Sequence, residues 1–311
     1  MIVDKVGPIK NGFYALGHPS VPVYLMDGEF PALFDAGFTG LSDLYVEAIK
    51  GVLGGRSPAY LFLTHAHWDH VGSAGIFKEI WPDMKIVASR GTREILSRPA
   101  VIERVTVLNR QALEALKQWG VEAFSEVPFI PFRIDEVLVP SRSYALDCEA
   151  TVAWFPSPGH TRDFAVYWIP EKKILIASEA VGCNDVPEFL VDYDVYLAHI
   201  ERFMAMAPDV LCTGHMLVLT GPDVQAYLRR AWEIAEDYRR FVESCFGEGL
   251  SVEETVQEIK RREWDRRAFP KQPLEAYLIN TRQRVEVLKR RREGAGSRTS
   301  HVETGKKSPT G

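Results

Sequence analysis

Thr64-His65-Ala66-His67-Trp68-Asp69-His70 follows directly on the apolar run Ala59-Tyr60-Leu61-Phe62-Leu63. Four side chains able to bind a metal thus sit within six residues, at the end of what reads as a buried strand. Imidazoles and carboxylates hold zinc or ferrous iron well. Side chains alternate along a strand, so His65 and His67 share a side and can reach one cation. Asp69 and His70 lie past the strand end, where the chain turns into an expected helix over 72–81, and can reach a second cation beside the first.

Two ligands are too few for a catalytic zinc, which usually takes three from protein. The others must come from far along the chain. A turn-rich Pro-Ser-Pro-Gly step after the expected strand 151–155 offers His160. The expected strand 173–177 ends at Ser178-Glu179, and the apolar run 210–212 ends at Thr213-Gly214-His215. Every candidate therefore follows a strand, and loops at one edge of a sheet can converge while the sheet holds them rigid. His18, His199 and His301 have no such context.

The 64–72 block, the Pro-Gly-His-Thr step at 158–161, the acid at 179 and the Thr-Gly-His step at 213–215 resemble the metallo-β-lactamase-fold superfamily of hydrolases. Residues 23–28 and 32–37 are similar to that family's opening hairpin. The resemblance covers about residues 10–220. It implies an α/β fold, a four-layer αββα sandwich, and two adjacent metals. His65, His67 and His160 would hold the first, and Asp69, His70 and His215 the second. The acid that bridges both is an aspartate in most members, whereas this chain has Glu179. Zinc is the first expectation for the metal, with iron and manganese as alternatives. Two cations would lower the pKa of a shared water and give hydroxide near neutral pH. Asp69 could orient that nucleophile or relay its proton. Cys183 reads as a small packing residue.

With 46% hydrophobic, 25% charged and 11% aromatic residues, the composition is that of an ordinary globular enzyme. No apolar run approaches a membrane span, and the first residues lack a signal-peptide pattern. The cysteines at 148, 183, 212 and 245 form no Cys-x-x-Cys pair, so a reduced, cytoplasmic protein is expected. The net charge of −5 divides unevenly, with +7 over 260–293, +2 over 294–311 and −14 over the rest. A basic end on an acidic body could attract phosphate or nucleic acid. It reads more simply as solvated helix faces, because Glu263, Asp265, Glu275 and Glu286 interleave with the cations.

Helical spacing predicts a helix over 42–53, a mainly helical stretch over 91–119 interrupted at Pro99, and a helix over 192–206. Residues 85–88 read as a strand and 134–139 as a possible one. Beyond His215 the character becomes helical. Three amphipathic helices are expected over 222–292, the middle one opened by a capping box at Ser251-Val-Glu-Glu254. The chain thus divides into a metal-binding domain over 1–220, a helical extension over 221–293 and a polar tail over 294–311, expected to be disordered. The extension could cover the metal face or make a homodimer.

The favoured reading is a metal-dependent hydrolase of a small-molecule ester or thioester. Such an extension is similar to that of hydroxyacylglutathione thioesterases (glyoxalase II), but 181–187 does not match their glutathione-binding stretch. Trp68, Phe189 and Tyr193 read as core residues first and pocket liners second. Phosphodiester or RNA cleavage, resting on the basic segment, and lactone hydrolysis are the hydrolytic alternatives. A non-catalytic metal-binding regulatory or interaction protein is the alternative of another class, and Glu179 is its only support.

Overall fold

A computed structural model of the chain describes residues 2–3, 5–118, 125–183, 185–216, 218–266 and 274–303. In it, two seven-stranded sheets face each other. The first runs, in spatial order, β2 (Gly7–Lys10), β3 (Phe13–His18), β4 (Val21–Met26), β5 (Ala32–Phe34), β6 (Tyr60–Phe62), β7 (Lys85–Ala88) and β8 (Glu136–Val137). The second runs β1 (Ile2–Val3), β14 (Val218–Thr220), β13 (Val210–Cys212), β12 (Ile174–Ile176), β11 (Ala165–Ile169), β10 (Thr151–Pro156) and β9 (Tyr144–Ala145).

Strand alternation explains why both faces of each sheet are covered. Tyr24, Phe34 and Phe62 point into the core between the sheets, where Tyr167, Ile174, Ile176, Val210 and Cys212 meet them. Their neighbours Leu25, Leu33, Leu61 and Leu63 point the other way. There they pack with residues of α1 (Ser42–Leu53), α2 (Trp68–Val71), α3 (Ala74–Ile80), α4 (Arg90–Leu96) and α5 (Pro99–Gln118). On the far side, Val166, Leu175, Leu211 and Leu219 pack with residues of α6 (Tyr193–Met206), α7 (Pro222–Gly247), α8 (Val252–Arg262) and α9 (Leu274–Glu303). The result is the expected αββα sandwich.

The sheets are stitched together where the candidate ligands emerge. Tyr167 Oη donates to the Leu63 carbonyl and Tyr24 Oη to the Thr213 carbonyl, each at 2.7 Å. The Ala165 amide donates to the Thr64 carbonyl at 2.8 Å. These bonds fix the height of one sheet's strand ends against the other's. Strands β12 and β13 are parallel and in register, Ile176 beside Cys212. Glu179 and His215 therefore leave the sheet at the same level.

Several boundaries differ from the periodicity. The helix expected over 72–81 is split into α2 and α3 around Gly72-Ser73, and α2 begins at Trp68, so Asp69 and His70 are helical. Pro99 opens α5, a position where a missing amide hydrogen costs nothing. Only Glu136–Val137 of 134–139 pairs with β7. The capping box at Ser251 and Glu254 forms in both directions. α9 continues to Glu303, past the end expected at 293. No proline interrupts it there, and the pairs Glu286–Arg290 and Lys289–Glu293 support its last described side chains one turn apart. Of the tail expected beyond Gly294, residues 304–311 lie outside the described residues. Among the described residues, no helix is long and apolar enough to cross a membrane.

Candidate metal centre

All seven candidate ligands meet at one edge of the sandwich. His65, His67 and His160 bring one ligand atom each to within 4.8 Å of one another, as do Asp69, His70 and His215. A third group, His65, His70 and Glu179, meets the same criterion and joins the two.

Four of the five histidines present Nε2 to this space because their Nδ1 is engaged behind. The His160 Nδ1 lies 2.7 Å from the Glu188 carbonyl and the His215 Nδ1 lies 2.8 Å from the Ser20 carbonyl. A carbonyl only accepts, so each Nδ1 carries a proton, and the neutral ring then has its lone pair on Nε2, the atom a cation would take. His70 Nδ1 donates to Asp35 Oδ2 at 2.8 Å. His65 Nδ1 lies 3.0 Å from Thr64 Oγ1, whose own hydrogen goes to the Asp35 carboxylate. His67 is the exception, for its Nδ1 faces His160 Nε2 at 3.3 Å and is the atom it presents. Such outer partners fix tautomer and ring orientation in metal sites.

Glu179 sits in a short 3₁₀ turn, Ser178–Val181, after β12. Its Oε1 lies 2.7 Å from His70 Nε2 and 2.9 Å from His215 Nε2, and its Oε2 lies 4.0 Å from His65 Nε2. Ser178 Oγ donates to Oε2 at 2.6 Å. The longer side chain fits because residue 214 is glycine: a Cβ there would lie 2.3 Å from Oε1 and 2.6 Å from Cδ. Asp69 Oδ2 completes the outer side, 3.4 Å from His215 Nε2 and 4.0 Å from His70 Nε2.

The donor set fits a metal on an observation of the structure itself. His65 Nε2 and His70 Nε2 are buried and have no hydrogen-bond partner. The short approach of His70 Nε2 to Glu179 lacks the direction of a hydrogen bond. A buried donor or acceptor left unmade costs about 1–3 kcal/mol. A cation in each cluster would satisfy its own orphaned nitrogen.

Electrostatics separates the two clusters. Burial, followed by the neighbouring His67 and His70, holds the His65 pKa well below its usual value. Burial first and His67 second lower that of His160 to about 3. Burial opposes charge on His70 as well, but Glu179, Asp35 and Asp69 outweigh it and raise the pKa well above normal. His215 is raised against burial by Glu179 and then Asp69. Burial works against ionisation of Glu179, yet His70 and His215 hold its carboxyl well below the usual range. The first cluster is neutral and the second is an ion-pair network.

Three carboxylates belong to the site although the sequence pattern did not single them out. Asp35 accepts from the Thr64 amide and hydroxyl besides His70. Its φ of 58° is left-handed, a conformation that aspartate tolerates better than most residues. An acid directly after a strand, followed by Ala36-Gly37, was the available signal. Asp163 Oδ2 accepts from the Ala66 amide at 2.9 Å, between His65 and His67, and from Thr92 Oγ1 at 2.8 Å. Glu188 is buried beside His160, and burial, opposed by Arg284, pushes its pKa to about 7. Arg284 reaches this region from α9, donating to the Pro187 carbonyl at 2.6 Å. Neither Glu188 nor Arg284 has a sequence signature.

Cys183, read as packing, places its sulfur within 4.8 Å of ligand atoms of Glu179 and His215. Phe189 and Tyr193 are core residues of the helical layer. Trp68 is half-buried, its ring 5.7 Å from that of Phe38. His18 bonds Ser20 Oγ and His199 stacks on Phe203, both away from the ligand groups. The His301 side chain lies outside the described residues.

A family model described as the metallo-beta-lactamase superfamily matches residues 16–215. The probable metallo-hydrolase YflN of Bacillus subtilis is 22% identical over 218 residues, covering 63% of this chain and 79% of that protein. A metallo-beta-lactamase family protein from Thermus thermophilus superposes with a TM-score of 0.63 at 17% identity, covering 93% of this chain and 96% of its own. An archaeal superfamily protein from Sulfolobus tokodaii gives 0.57 at 17% identity, covering 91% and 100%. The sec-alkylsulfatase Pisa1 of a Pseudomonas species gives 0.63 at 15% identity, covering 91% of this chain and 50% of that one. At such identities the structural likenesses speak to the fold alone.

Proposed function

Because the chain belongs to the metallo-beta-lactamase superfamily, we propose that it is a metal-dependent hydrolase of a small ester or thioester, with two divalent cations, zinc foremost, as its cofactors. The observation that carries this reading is the junction at Glu179. One carboxylate oxygen reaches His70 and His215 while the other faces His65. Glutamate thus spans the same gap that a bridging acid must span, and Gly214 leaves it the room.

His65, His67 and His160 would hold one cation, and Asp69, His70 and His215 the other, with Glu179 between them. Cations bound there would acidify water and polarise the scissile carbonyl. The chain's own residues supply the rest. Asp69 lies on the open side, its side chain 16% exposed, where it can orient the attacking water and take its proton. Asp35, Thr64 and the Ser20 and Glu188 carbonyls keep the imidazoles aimed, so little reorganisation accompanies the reaction.

The arrangement of the basic C-terminal segment favours a small-molecule substrate over RNA. Among the described residues, several of its cations have partners within the fold. Lys260 pairs with Asp265, Arg261 with Glu258, Arg282 with Glu253 and Arg291 with Asp194. Arg262 lies over the Phe241 ring and Arg284 is buried. Phosphate recognition needs such groups free and clustered.

The test is metal content followed by turnover, on protein purified without chelator. Near two cations per chain, with chelator-sensitive hydrolysis of aryl esters or acyl thioesters, is the expected result. Bound metal without turnover of ester, thioester, lactone or phosphodiester would move the protein to the non-catalytic class. Turnover of RNA or a phosphodiester alone would replace the ester reading.

A further inference from the structure

Resting on that reading, we propose that Cys183 is an additional ligand of the second metal position, its thiolate sharing the cation with Asp69, His70, His215 and Glu179. The Cys183 sulfur, a Glu179 carboxylate oxygen and a His215 ring nitrogen all lie within 4.8 Å of one another. Ligand atoms at roughly 2.0–2.3 Å from one five-coordinate cation stand roughly 3–4 Å from their neighbours, so a shift of about an ångström brings the sulfur into range. A second observation points to the same place: His70 Nε2, 2% exposed as a residue, is aimed there without a hydrogen-bond partner.

The turn carrying Cys183 is built to hold it there. Gly182 has φ +77°, and a Cβ on it would meet the Val186 carbonyl oxygen at 2.7 Å. Cys183 and Val186 exchange both backbone hydrogen bonds, at 3.0 and 2.8 Å. Tyr227 Oη of α7 donates to the Gly182 carbonyl at 3.2 Å, tying the turn to the helical extension. Cys212 lies in the core between the sheets and Cys245 is buried in α7, whereas Cys183 is half-buried beside the ligands.

Chemistry favours the assignment. When the metal–sulfur bond forms, the S–H bond breaks and its proton leaves to solvent, with no change of oxidation state. The thiolate adds one negative charge to those of Asp69 and Glu179, against the four positive charges of two divalent cations. A soft sulfur ligand also biases the position toward zinc, cobalt or iron and away from magnesium and manganese.

The experiment loads the full-length protein with cobalt(II), counts cobalt per chain and records the near-ultraviolet spectrum. A sulfur-to-cobalt charge-transfer band in the wild type, lost in both Cys183→Ser and Cys183→Ala but kept in Cys148→Ser, is the expected result. Alkylation of Cys183 by iodoacetamide, mapped by mass spectrometry, should slow at least tenfold on metal loading. Bound cobalt with no such band, or a band that survives both substitutions, overturns the assignment and leaves the hydrolase reading standing. Absence of bound cobalt, zinc or iron overturns both. Circular dichroism of each variant separates loss of the ligand from loss of the fold.

Discussion

Substituting Gly214 by alanine should weaken the second metal position without replacing any ligand. The added methyl carbon would lie 2.3 Å from Glu179 Oε1, against the 3.4 Å or more of ordinary contact, so the carboxylate must retreat by about 1.1 Å. It cannot do so while keeping its approaches of 2.7 and 2.9 Å to His70 and His215. Gly214 does not have a positive φ, so alanine brings no backbone strain that would confuse the result. Over-packing of this size costs about 1–3 kcal/mol, equivalent to about 5- to 150-fold in affinity for the second cation. Glu179→Asp alone should also weaken the site, because the shorter side chain falls back from both histidines. The double variant Glu179→Asp with Gly214→Ala should lose less than the two single losses combined, since the missing methylene makes room for the new methyl group. A coupling of about 1 kcal/mol or more between the two is expected. Competition against a chromophoric chelator reads the affinities, and thermal melts of the metal-free variants check the fold. Unchanged affinity in Gly214→Ala, or strictly additive losses in the double variant, would refute the packing argument.

Acidification should remove the two cations in order. His70 and His215 have raised pKa values, so protons compete for them from a higher pH downward, whereas burial keeps His65 and His160 neutral far into acid. Elemental analysis after dialysis across pH should show one cation leaving first, and simultaneous loss would contradict the separation. In the metal-free protein, the Glu179 pairing stabilises above the ordinary carboxylate range of 4.5 and is lost as pH falls through its depressed pKa, while the His70 contribution is complete below 6.5 and is lost as pH rises through its raised one. Asp35→Asn should lower metal affinity by about 10–100-fold, through misorientation of His70, with a smaller effect on the melting of the apo protein. Ser251→Ala should cost about 1 kcal/mol of stability in a melt and leave turnover unchanged, because the cap lies on α8 and touches no ligand.

The cluster His65 to His70 is legible in sequence because its spacing joins strand alternation to a helical turn within six residues. The strand-end positions of His160, Glu179 and His215 are legible for the same reason, since apolar runs mark where each strand stops. The layered fold follows from alternation within those runs, which gives every strand two faces to bury. What the sequence does not contain is which distant atom stands behind each ligand. Asp35, Asp163 and the Ser20 and Glu188 carbonyls act through backbone heights that only strand register and the packing of two sheets decide. The same holds for Glu179. Local sequence makes it an unusual acid at a strand end, while the absent Cβ of Gly214, thirty-five residues later on the neighbouring parallel strand's loop, makes it fit. Charge follows the same division. Composition shows a basic end on an acidic body, and only the packing of α9 brings Arg291 to Asp194 of α6 and Arg282 to Glu253 of α8. Periodicity is a local property and survives in one dimension, whereas complementarity between distant segments exists only once the chain has folded.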